Sequence, residues 1–112
     1  MQYVFLICTA TDAEAPQDEA TEQALIERWV ADNDDSGARL AGNAFREPSD
    51  ATTVKVRAGE TLVTAGPFAE TTEWIAGFDL IEADDLDAAI AIASKHPMAR
   101  RGQIDIRPLL EL

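Results

Sequence analysis

Residues 1–8 read MQYVFLIC, and from Tyr3 to Cys8 every side chain is apolar. A strand alternates its side chains between two faces, so Tyr3, Phe5 and Ile7 share one face and Val4, Leu6 and Cys8 the other. A strand apolar on both faces has to be covered on both. Helices of the same chain can supply one cover. What supplies the second is the question that decides the architecture.

Outward from this strand, the polar stretch TATDAEAPQDEA (9–20) leads into a helix. Asp18 or Thr21 is its cap, and it runs to about Asp35, with Gly37 as the residue that ends it. Leu25, Ile26, Trp29 and Val30 recur at helical spacing as an apolar stripe. ARLAGNAF (38–45) reads as a strand. TTVKV (52–56) and TLVT (61–64), joined by RAGE (57–60), read as a hairpin with Gly59 in its turn. WIAGFDLIEA (74–83) is a further strand. DDLDAAIAIASKH (84–96) gives the clearest helix, capped by Asp84 or Asp85, with Leu86, Ala89, Ile90 and Ala93 on one face. Pro97 ends it, since the residue before a proline is pushed out of the α region. GQIDIRPLL (102–110) closes the chain as an alternating strand.

This order, β-α-β-β-α-β with an extra hairpin, predicts a single α+β domain over residues 1–112. It is a ferredoxin-like sandwich with both helices on one face of an antiparallel sheet. Two helices cover one sheet face only. The expected cover for Val4, Leu6 and Cys8 is the sheet of a second copy, so the chain is expected to be a homodimer.

Twenty-one acidic residues against nine basic ones give a net charge of −12. Such a surface is repelled by a phosphate backbone and by anionic lipid, so neither nucleic acid nor membrane is an expected partner. No apolar run approaches the ~20 residues that span a bilayer, and the start lacks the charge and cleavage pattern of a secretory signal. A cytoplasmic location is expected. The single cysteine, Cys8, fits a reducing compartment. As a nucleophile it would need His96 for a base, but a thiol at the end of an apolar strand reads first as a small hydrophobe. Trp29 and Trp74 read as core or interface anchors. One histidine and one cysteine make no metal set, and there is no Gly-rich phosphate loop, so no cofactor is expected.

Three stretches resemble the YCII-related family in its DGPF-domain branch. They are VTAGPFAET (63–71), GFDLIEADDLDAAIAIASKHP (77–97) and GQIDIRP (102–108). The resemblance implies the ferredoxin-like fold and a dimer whose sheets pack face to face as an α+β barrel. It also implies that the Gly66-Pro67 corner lies near a cleft at the dimer interface. A His–Asp pair has been proposed as the active site of the YCII branch, drawing its histidine from the first helix, and this first helix contains none. The Asp that names the DGPF motif is Ala65 here, and the Lys that often follows it is Thr72. Family members also resemble, in gene arrangement, partners of extracytoplasmic-function sigma factors. The resemblance therefore implies two functions: a small molecule bound at a dimer-interface cleft, with weak acid–base chemistry, or an accessory module for a sigma factor.

The residues that bear on such a site are few. His96, the only histidine, is a general acid or base if free, or a helix-end residue stabilised by the dipole. Glu70 is the only acid left in the corner; Gly66 and Pro67 shape it, and Phe68 either plugs it or lines the cleft. Asp105 and Arg107 alternate with Ile104 and Ile106, and Asp79 alternates with Phe78 and Leu80. All three charges are expected together beside the space shared by the dimer's sheets. There they either pair with each other or hold a small anionic ligand, with Arg107 as a bidentate fork.

Overall fold

The computed structural model describes residues 1–15, 17–66 and 74–111. Pro67, Phe68 and Glu70 of the corner lie outside the described residues. The elements are β1 (Gln2–Thr9), α1 (Glu19–Asp35), β2 (Arg39–Ala44), β3 (Thr52–Arg57), β4 (Glu60–Ala65), β5 (Ile75–Glu82), α2 (Leu86–Ser94), α3 (Pro97–Arg101) and β6 (Gly102–Pro108). Four strands form an antiparallel sheet in the order β2-β5-β1-β6, while β3 and β4 form a separate hairpin. With the hairpin set aside, this is the ferredoxin-like α+β arrangement that the element order predicts.

β1 is a central strand, and its Tyr3, Phe5 and Ile7 meet Trp29 of α1, Ile81 of β5 and Ala89 and Ala93 of α2 in one core. Phe5 and Ile81 are 0% exposed. The Trp29 indole donates to the Ile92 carbonyl at 3.1 Å, which ties α1 to α2 across that core. The caps resolve to Asp18, which accepts from the Thr21 amide at 2.9 Å, and Asp85, which accepts from the Ala88 amide at 2.8 Å. Gly37 follows α1 with φ of +81°, as its reading as a helix terminator requires. In the hairpin, Arg57 pairs with Glu60 around a two-residue loop. Ala58 and Gly59 both take positive φ there, the requirement of a type I′ turn.

Both helix stripes differ from expectation in what they bury. In α1 the buried side chains are Glu22 and Trp29, and Leu25 is exposed. In α2 they are Ala89 and Ala93, with Leu86 and Ile90 exposed. Small alanines let a helix axis approach the sheet closely, and the larger neighbours are left at the rim. Pro97 ends α2 as predicted but also begins α3 at a first-turn position, where its missing N–H leaves nothing unpaired.

Candidate functional site

Directly opposed residues in an antiparallel ladder share a face. Tyr3, Phe5 and Ile7 oppose Ile81, Asp79 and Gly77, whereas Val4 and Leu6 oppose Leu80 and Phe78. On the other side of β1, Val4 and Leu6 oppose Arg107 and Asp105. The helix face therefore contains Asp79, and the open face contains Asp105 and Arg107. The expectation that these three charges share one surface is corrected here. Period-2 alternation separates Asp79 from Phe78 and Leu80, but does not say which of the two sets turns toward the helices.

Asp79 is 5% exposed, and its Oδ1 accepts from Arg39 Nε at 2.7 Å. Arg39 Nη1 also reaches Asp34 at the end of α1, at 3.0 Å. Burial pushes the Asp79 carboxyl above its ordinary range, and the Arg39 guanidinium pulls it part of the way back. Gly42 on β2 lies opposite Asp79. A Cβ there would overlap Asp79 Oδ1 and come within 2.7 Å of Arg39 Nη2 and the Phe78 carbonyl. The absence of a side chain at Gly42 is what lets the ion pair close.

On the open face Val4, Leu6, Phe78 and Leu80 form a half-buried apolar strip outside the core. Phe45, itself exposed, stacks on Phe78 with ring centroids 5.8 Å apart. Asp105 accepts from the Gln103 amide at 3.3 Å, and Arg107 is exposed beside Val4. Gly66, at the start of the corner, takes φ of +94° and its amide donates to the Ala51 carbonyl at 2.7 Å.

A second group of charges gathers around α3. His96 caps this helix: its Nδ1 accepts from the Met98 amide at 2.9 Å, and its ring lies 4.5 Å from that of Trp29. It is the N-cap of a new helix rather than the last residue of the preceding one, because the α2 backbone has left the helical region by His96. At the other end of α3, Arg100 Nη2 donates to Glu22 Oε2 at 3.4 Å, and Arg101 Nη1 lies 3.9 Å from the same oxygen. Glu22 is 2% exposed. Its spacing four and seven residues before Ile26 and Trp29 is the signal that could have placed it on the inward stripe.

The YCII-related domain model matches residues 1–112. The chain belongs to the YCII-related family. It is also similar to an uncharacterised protein of Rhizobium meliloti (strain 1021), with 44% identity over 61 residues. That match covers 53% of this chain and 49% of the relative, so the chain spans about half the length of the curated relative it matches. Among the described residues of this YCII-related domain, no helix is long and apolar enough to cross a membrane.

Among the described residues of this YCII-related domain, the expected site residues divide among four places, with Gly66 at the corner after β4. Asp105 and Arg107 lie on the open face, Asp79 beneath the helices, and His96 at the head of α3. Burial lowers the His96 pKa to about 4, so its ring is neutral at pH 7 with Nδ1 committed to the cap. The unfolded chain takes up this proton near the ordinary value of 6.5. Between these two values the unfolded state binds more protons, so stability should fall as pH drops from about 6.5 to about 4. At ~1.4 kcal/mol per unit the full loss is about 3 kcal/mol. Denaturant titrations of wild type and His96→Asn, which keeps a capping oxygen but does not titrate, should diverge over that window. Parallel pH profiles would remove the effect from His96.

Proposed function

We propose that this YCII-related domain belongs to the DGPF branch, a reading supported by the three stretches that resemble it, and that it works as a homodimer that binds a small anionic molecule. The binding place is the cleft between the joined sheets. The supporting observation is the open face itself, where an apolar strip of Val4, Leu6, Phe78 and Leu80 runs beside Asp105 and Arg107. Already half buried, each of these side chains would gain part of the ~1.5–3 kcal/mol that full burial is worth, and a two-fold axis over the sheet covers all of them with one self-complementary patch. At the edge of that patch, Arg107 offers a planar fork to a carboxylate or phosphate, and Asp105 sets its orientation. The family resemblance adds the corner that begins at Gly66 to this reading. Acid–base chemistry falls to Glu70, because His96 is spent on its cap.

Sedimentation equilibrium at micromolar concentration should give twice the chain mass, and Leu6→Asp should give the folded chain mass alone. A wild-type monomer would overturn the reading. In a thermal-shift screen of carboxylates and phosphates, at least one compound should stabilise wild type and leave Arg107→Gln unmoved. No stabilising compound, together with a stably captured sigma factor from host extract, would favour the accessory role instead.

A further inference from the structure

A cavity of about 360 Å³ opens where the start of α1 meets the end of α3, lined by Gln17, Glu19, Glu22, Gln23, Ile26 and Arg101. Its volume is at the small end for ligand sites, which run from ~300 to ~1,000 Å³. Two of its charged groups are poorly satisfied by the protein itself. A buried carboxylate has to be closely paired, and charge-assisted N–H···O bonds are ~2.7–2.9 Å long. Glu22 Oε1 takes the Gln17 amide at 3.1 Å, but among the described residues Oε2 has only the longer contacts of 3.4 and 3.9 Å to Arg100 and Arg101. Arg100 is further drawn toward Glu14, at 3.7 Å. The second group is Arg101, whose Nε is buried and has no hydrogen-bond partner among the described residues. A slack acceptor and an unspent donor thus sit side by side in one cavity wall.

We propose that this cavity is a binding site for a small zwitterion of the α-amino-acid class, separate from the cleft on the open sheet face. The ligand carboxylate takes Arg101 side-on through Nε and one Nη, which satisfies the orphaned donor. The Arg101 side chain is 27% exposed although its Nε is buried, so the guanidinium has to turn into the cavity for a ligand to take Nε. Engaged this way, Arg101 gives up its 3.9 Å contact, and the ligand ammonium replaces it at Glu22 Oε2. One long internal ion pair becomes two short ones. Gln17 and Gln23 offer amide groups at the rim, and Ile26 gives the aliphatic portion an apolar wall. A ligand with only one of the two charges leaves either the carboxylate or the guanidinium unsatisfied. Two-sided charge is therefore the specificity that the site imposes.

Three probes of one carbon skeleton test this: 2-aminobutyrate, butylamine and butyrate, titrated into the full chain and followed by amide chemical shifts. The expected result is saturable movement of the Gln17, Gln23 and Arg101 signals with 2-aminobutyrate, at a Kd at least tenfold below either single-charge probe. Glu22→Gln and Arg101→Lys should each weaken it at least tenfold; if either variant fails to fold, the comparison of the three probes on wild type still decides. Equal binding of butylamine, no saturation, or shifts confined to Asp105 and Arg107 would each overturn the proposal. The last of these would leave the sheet-face cleft standing.

Discussion

Arg39→Met should destabilise the domain by about 3–5 kcal/mol at neutral pH, the cost of stranding one member of a buried ion pair. The methionine fills the stem's volume, so what is lost is the guanidinium that Asp79 Oδ1 meets at 2.7 Å. Asp79 lies opposite Phe5 in the register of the two central strands and cannot turn to water without disturbing that pairing. Its carboxyl, already raised by burial, would rise further once the charge that offsets burial is gone. In the variant the folded state then binds the proton more readily than the unfolded chain, so stability relative to wild type should fall as pH rises and recover toward pH 5. Denaturant titrations at pH 5 and pH 7 check both the size and the slope. Arg39→Met with Asp79→Asn should lose less than Arg39→Met alone, because no buried charge remains. A loss under about 1 kcal/mol for Arg39→Met would show that the pair is solvated as surface pairs are.

That pair also marks where the sequence stops being readable. The fold was legible because its elements are strongly punctuated. An unbroken apolar strand, two capped helices, a Gly37 terminator and a hairpin turn at Gly59 each leave a local mark. The alternation along β5 was legible too, but the side of the sheet each set faces is fixed only when α1 and α2 dock. Asp79 had no local feature to show that Arg39, forty positions away in sequence, would neutralise it. Glu22 was hidden for the opposite reason. An acid on a helix whose charges are nearly all acidic reads as solvated, and only the arrival of Arg100 and Arg101 on α3 makes its burial affordable. α3 was itself missed, because a proline that ends one helix can begin the next, and the five residues Pro97–Arg101 are too few for periodicity to register.

The same docking predicts that Gly102→Ala is far more disruptive than its one added methyl suggests. Gly102 is where α3 passes directly into β6 and where β6 pairs with Thr9 at the end of β1. A Cβ at this position would overlap the Cys8 carbonyl oxygen and come within 3.4 Å of the Met98 carbonyl. Both obstacles are backbone, so no side-chain rotation relieves them. Either the first rungs of the β1–β6 ladder open, or α3 shifts and draws Arg100 and Arg101 away from Glu22. Overpacking of a side-chain core costs ~1–3 kcal/mol, and an obstacle made of backbone puts this variant at or above the top of that range. Gly37→Ala is the control. It has open space around its Cβ, and its penalty is the left-handed backbone alone, about 1–2 kcal/mol. Urea titrations should therefore rank Gly102→Ala as the larger loss by at least about 1 kcal/mol. Amide exchange at Ile7 to Thr9 should quicken in Gly102→Ala and stay unchanged in Gly37→Ala. If Gly102→Ala instead matched Gly37→Ala with β1 protection intact, the close approach of β6 to Cys8 would not be a constraint on this fold.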